Sequence, residues 1–121
     1  MVVFYQDEDG TVPLLAWLDQ LPAQVQAKCL ASLTRLEDLG HELRRPEADY
    51  LRDGIYELRV RRGTVHYRML YFFHGQIAAV VSHGLTKERV VPARDIARAL
   101  EHKQWFTAAQ RRHTFTPERA S

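Results

Sequence analysis

Three strand-like runs in the middle of the chain, the first alternating and the second apolar on both faces along its middle and end, constrain its fold more than any other feature. Ile55-Tyr56-Glu57-Leu58-Arg59-Val60-Arg61 alternates apolar and charged residues, Val65 to Phe73 follows after Arg62-Gly63, and Gln76 to His83 follows after His74-Gly75. Period-two alternation between glycine turns predicts an antiparallel three-strand meander. Two-residue turns at Arg62-Gly63 and His74-Gly75 set an expected register. Val60 then faces Val65, Leu58 faces Tyr67 and Tyr56 faces Met69, with Met69 facing Val80 and Tyr71 facing Ala78 on the next strand. The opposite face pairs Arg59 with His66, Glu57 with Arg68, and His66 with His83. A slip of one residue would send every apolar side chain to the wrong face.

Helices flank the meander. Val2 to Tyr5 is a short apolar run suited to a first strand. Thr11 can cap a helix with Pro13 in its first turn, and Leu14, Leu15, Trp17, Leu18 and Leu21 recur at helical spacing. Pro22 starts a second helix whose stripe Val25, Cys29, Leu33, Leu36 and Leu39 stops at Gly40. The stripe reads as core, and it includes Cys29. His41 to Asp53 is polar and reads as a loop, as does Gly84 to Arg89. Pro92 opens a last helix carrying Ile96, Ala97, Ala99 and Leu100. The expected fold class is α+β: a short N-terminal strand, a helical hairpin, a three-strand meander completing a small twisted sheet, and a C-terminal helix. A chain of 121 residues is one domain, here expected over residues 1–109 with a frayed polar tail over residues 110–121. The lone cysteine precludes an internal disulfide, and no signal peptide or membrane-spanning run is visible, so a cytoplasmic location is expected.

Charge is divided unevenly. The first fifty residues carry four basic and nine acidic side chains, the remainder thirteen and six, and fourteen of the seventeen cations are Arg. Arginine favours bidentate recognition of phosphate, so the second half reads either as a polyanion surface or as an Arg-rich solvated one. In the expected register Arg59, His66 and His83 form one row, with Glu57 and Arg68 in the next, Arg61 on the same face, and Lys87 in the loop beyond. Such a set can cleave RNA by 2′-OH attack. A base takes the 2′-OH proton, cations hold the phosphate, and an acid protonates the leaving 5′-oxygen. Plainer readings stand beside this one. Glu57 with Arg68 can be a cross-strand ion pair, and the histidines can be structural or metal-binding, although no tight His/Cys motif is present. No P-loop, dinucleotide fingerprint or nucleophile elbow occurs, and no cofactor or metal is expected.

Three segments carry a resemblance. Leu51 to Arg59, Tyr67 to Gly75, and His83-Gly84-Leu85-Thr86-Lys87 followed by Pro92 and the Asp95 to Ala99 helix resemble the phage-derived, HigB-like branch of the RelE/HigB toxin superfamily. The resemblance runs from about Val2 to Phe106. It implies a RelE-like fold and the toxin of a type II toxin–antitoxin pair, a metal-independent mRNA interferase acting in the ribosomal A site. It implies cleavage that leaves a 2′,3′-cyclic phosphate and a 5′-OH. The implied partners are the ribosome and mRNA, a helix-turn-helix antitoxin, and operator DNA through the antitoxin complex alone, with no membrane. Arg59, Arg68 and Lys87 match the family's motif positions, with His83 as acid/base and Glu57 and His66 in support. Arg61, Arg62 and Arg89 would hold RNA backbone. Relatives often carry a late Tyr as base, but none follows Tyr71 here, so His83, His66 or Lys87 must serve. The alternative is a catalytically weak or inactive protein of this fold that docks an antitoxin and tunes operator binding.

Overall fold

The computed structural model describes residues 1–75, 78–87 and 90–118, with Lys87 described by its backbone alone. Strand β1 (Val2–Tyr5) leads into helices α1 (Pro13–Leu18) and α2 (Ala23–Leu39). Four strands follow: β2 (Ala48–Arg52), β3 (Ile55–Arg62), β4 (Val65–His74) and β5 (Ala78–Lys87). Helix α3 (Ala93–Ala108), a short helix α4 (Gln110–His113) and β6 (Thr114–Phe115) complete the described chain. The strands form one mixed sheet in the order β2-β3-β4-β5-β1-β6, in which β1 runs parallel to β5. This α+β arrangement is consistent with a RelE-like fold.

The hairpin packs on one sheet face as its stripe predicts. Val25, Cys29, Leu33 and Leu36 are buried against Leu58, Val60, Met69 and Tyr71. Burial of each Leu-sized side chain contributes about 1.5–3 kcal/mol. Helix α1 approaches β5 so closely that a Cβ at Gly84 would fall 2.1 Å from the Trp17 ring, which accounts for glycine there. On the other face Ile96, Ala99 and Phe106 of α3 cover Ile55, Leu70, Phe72 and Val80. The face expected to lie away from the helices is therefore half roofed by α3. The sequence pattern marks α3 as amphipathic but not which face it selects.

The register differs from expectation in two ways. Arg62 pairs with Val65, so the first turn is Gly63-Thr64 and the β3–β4 pairing shifts by two residues. Gly63 has φ 61°, which suits the first central position of a hairpin turn. A shift of two preserves every face, so the apolar pattern does not detect it. At the second turn His74 pairs with Ala78, an odd displacement from the expected register that reverses the faces of Val80 and Val81. Gln76 and Ile77, in the expected strand, lie outside the described residues. A bulge at Ser82 then restores the phase: Tyr71 pairs with Val81 and Leu70 with His83. His83 thus reaches its expected face but stands opposite Leu70, not His66.

Two further segments differ. The expected loop before Asp53 contains β2, closed onto β3 by Asp53-Gly54 with φ 53° and 82°. An Asp-Gly pair with both φ values positive matches a tight hairpin turn. Residues 110–115, expected to fray, form α4 and β6; β6 pairs with β1, and Phe115 stacks on Phe4 at 6.0 Å. Apolar contact by Phe115 and a buried His113 anchor a segment whose composition is otherwise polar.

Candidate functional site

The observed register builds three rows across β3, β4 and β5. Arg61, His66 and Lys87 are cross-strand neighbours, as are Arg59, Arg68 and Leu85, and then Glu57, Leu70 and His83. Beyond the reach of α3, Arg59, Arg61 and Arg62 are exposed and His66 is half-buried. The expected row of Arg59, His66 and His83 does not form, because the turn lies one residue later and the bulge displaces His83. Lys87 moves from a loop into β5, opposite His66. Its side chain, and Glu88 and Arg89 entirely, lie outside the described residues.

Arg59 and Arg68 face one another directly. Like charges in that position repel, and Glu57 offsets the repulsion. Glu57 is 2% exposed, and its carboxylate accepts a hydrogen bond from Arg59 Nε at 2.6 Å and lies 3.7 Å from Arg68 Nε. Arg68 is 9% exposed, and its Nε is buried without a hydrogen-bond partner. On β2, Asp49 accepts a second bond from Arg59 at 3.1 Å. The bond from Arg45 holds the Asp49 carboxyl below its usual range, with Arg59 adding to the effect. Two guanidinium groups are thus aligned by carboxylates, while the Arg59 side chain keeps 39% of its surface open. Arg61 is braced by a bond from its Nε to the Gly63 carbonyl at 2.8 Å. The arrangement is a cationic ledge of fixed geometry, suited to a phosphate backbone.

His83 lies elsewhere. It is 1% exposed beneath α3, with Nε2 3.2 Å from Asp95 Oδ1 and Nδ1 2.7 Å from Ser82 Oγ. Ser82 Oγ is also 2.8 Å from His102 Nδ1. One hydroxyl proton serves one imidazole, so the other must donate to the serine oxygen. With His83 donating from Nε2 to the Asp95 carboxylate, its bare Nδ1 accepts from Ser82, and His102 donates its Nδ1–H to Ser82. Both imidazoles are then neutral. Burial drives His83 down to about 4, aided by Arg98 and opposed by Asp95. Burial likewise takes His102 to about 3, with His83, Arg98 and His113 adding to it. A neutral imidazole shielded by a helix is placed to hold α3 and is removed from solvent chemistry.

The geometry therefore brings together Arg59, Arg61, Arg68, His66 and the backbone position of Lys87, with Glu57 behind them, and it sets His83 apart. The sequence pattern missed Asp49, Asp95, Ser82 and His102. Asp53-Gly54 was an available hairpin signal for the strand that carries Asp49. No sequence signal marks the Ser82 bulge that lets β5 reach α3.

Among the described residues no group of three or more His, Cys, Asp and Glu is placed to hold a metal, and no helix is long and apolar enough to cross a membrane. None of the curated proteins matches the chain. A family model does match, described as phage-derived protein Gp49-like (DUF891), over residues 16–104. The match spans the second half of α1, all of α2, the meander and most of α3, and so contains every residue of the cationic ledge. That family lies among the toxins of toxin–antitoxin systems, which implies an antitoxin as partner. With well over half its length matched, the chain belongs to the phage-derived Gp49-like (DUF891) family.

Proposed function

We infer that this protein is a metal-independent endoribonuclease, the toxin of its pair, cleaving mRNA on the ribosome. The observation that carries this reading is the two adjacent rows, Arg59 with Arg68 and Arg61 with His66 and Lys87, on the part of the sheet that α3 leaves open. Arg59 and Arg68 would hold the scissile phosphate and the charge that grows on it. His66 or Lys87 would take the 2′-OH proton as the 2′-oxygen bonds to phosphorus. The phosphorus–O5′ bond breaks, and the second of the two groups, in its protonated form, gives a proton to the 5′-oxygen. The products are a 2′,3′-cyclic phosphate and a 5′-OH. Glu57 acts as a positioning residue that keeps two repelling guanidiniums side by side. Arg61, Arg62 and Arg89 would hold flanking backbone. The neutralising partner would be a helix-turn-helix antitoxin that carries the complex to its operator, and the site of action would be cytoplasmic.

A second reading rests on a specific observation. Glu57 occupies the inner side of both Arg59 and Arg68, and His83 is enclosed. A ledge so neutralised would serve as a docking surface for an acidic antitoxin segment, without turnover. Induction of wild type, Arg59→Ala and His66→Ala, with mapping of mRNA 5′ ends, separates the two. New 5′-OH ends in wild type that vanish in both variants support the nuclease. An absence of ends from folded wild type, or ends unaffected in both variants, overturns this site.

A further inference from the structure

Strand β2, at the edge of the sheet beside β3, borders a pocket that the proposed reaction does not use. The pocket, of about 390 Å³, is lined by the buried Leu43 and Ala48, by Tyr50 and Tyr56, and by the exposed Arg44 and Arg45. Ala48 and Tyr50 pair with Leu58 and Tyr56, so these side chains lie on the hairpin side of the sheet, while Asp49 between them lies on the ledge side. Tyr50 is 53% exposed, yet its ring is held at both ends. Its hydroxyl accepts a hydrogen bond from the Gly54 amide at 3.0 Å, and its ring sits edge-on to Tyr56 at 5.0 Å. Tyr56 is in turn stacked on the buried Tyr71 at 5.3 Å. An open aromatic face in a fixed orientation loses little freedom when a second ring stacks on it.

Charge joins the pocket to the ledge. Asp49 Oδ2 lies 3.0 Å from Arg45 Nη2 and 3.1 Å from Arg59 Nη2, so one carboxylate oxygen ties the pocket's rim to the first arginine of the ledge. Arg45 still keeps 75% of its side-chain surface open. A phosphate chain leaving Arg59 therefore meets Arg45, with the exposed Arg44 beside it, as it rounds the edge of the sheet. Cations that track a backbone and rings on which bases stack are the two parts that hold single-stranded nucleic acid. A purely acidic peptide meets the cations but leaves the Tyr50 face and the apolar floor of Leu43 and Ala48 uncovered. We propose that this pocket receives one base of the single-stranded RNA whose phosphate lies on Arg59, the base stacking on Tyr50. The inference rests on the ledge holding RNA and adds to it a base-binding site round the edge of β2.

The test measures, by fluorescence anisotropy, the affinity of a labelled deoxy-hexa-adenylate and of a hexamer of abasic tetrahydrofuran spacers on the same phosphate chain. Neither carries a 2′-OH, so neither is cleaved. Wild type should prefer the adenine-bearing chain about tenfold, the value of one base stacked on an aromatic ring. Tyr50→Leu should lose about tenfold for hexa-adenylate alone, and Tyr50→Phe, which keeps the ring, should retain most of the preference. Equal affinity of wild type for the two chains overturns the proposal and leaves the ledge reading standing. An equal loss for both chains in Tyr50→Leu makes the ring structural and also overturns it. As competitors, AMP binding as tightly as the hexamer would assign the pocket to a mononucleotide, and acetyl-Glu-Phe-Glu-amide doing so would assign it to a protein partner; either overturns the proposal. Binding of neither chain overturns the ledge reading and this inference with it.

Discussion

Mild acid is expected to loosen the protein through the Asp95–His83–Ser82–His102 chain. Burial lowers His83 to about 4 and His102 to about 3, whereas both titrate near 6.5 once unfolded. Between those values the unfolded chain binds more protons than the folded one, so stability rises with pH there. The contribution is complete above about pH 6.5. It declines as pH falls and levels off below the folded values of about 4 and 3. At pH 5 each imidazole has lost roughly 2 kcal/mol, the distance from 6.5 to 5 at 1.36 kcal/mol per unit. Because Ser82 links the two, the pair loses somewhat less than twice that. Urea unfolding from pH 7.5 to pH 4.5 measures it. His102→Phe keeps a ring to stack on Tyr5, removes one titrating group, and should about halve the slope below pH 6.5. Equal stability at pH 7 and pH 5 would refute the reasoning. So would an undiminished slope in His102→Phe, which would place the acid sensitivity outside this chain.

Three further outcomes follow from the same geometry. Gly84→Ala should lower stability by about 1–3 kcal/mol in denaturant unfolding, since its Cβ would meet the Trp17 ring at 2.1 Å, and Trp17→Leu should relieve much of that loss in a double-mutant cycle. Glu57→Gln should cost about 3–5 kcal/mol in the same assay by leaving the buried Arg68 without a carboxylate, Arg59 still being held by Asp49, whereas the exposed pair of Arg112 with Glu8 can be broken by Arg112→Ala at a cost under about 1 kcal/mol. Arg61→Ala and Arg62→Ala should each reduce the salt dependence of single-stranded RNA binding by about 0.7 in log–log slope, measured by fluorescence anisotropy, with little change in sequence preference.

Local patterning alone determined β1, the helical hairpin, the meander and α3, and most of their faces. The Val25 to Leu36 stripe, the Pro13 and Pro22 helix starts, the stop at Gly40, and the alternation of Ile55 to Arg61 are all properties of near neighbours in the chain. Each survives in the fold because burial selects for them residue by residue. Grouping Arg59, Arg61, Arg68 and His66 on one face was legible for the same reason, since faces depend on parity alone. What only the tertiary structure decided depends on counts and on partners distant in sequence. A turn at Gly63-Thr64 in place of Arg62-Gly63 moves the pairing by two residues while leaving every face intact, so apolar pattern carries no information about it. The pairing of His74 with Ala78 and the Ser82 bulge each reverse the phase of β5, and together they cancel, which hides both from any pattern read along that strand. The burial of His83 required α3 to choose the face opposite the hairpin. That choice places Asp95 and His102 against residues 82 and 83, contacts that exist because the last helix crosses the sheet and that no spacing within the strand encodes.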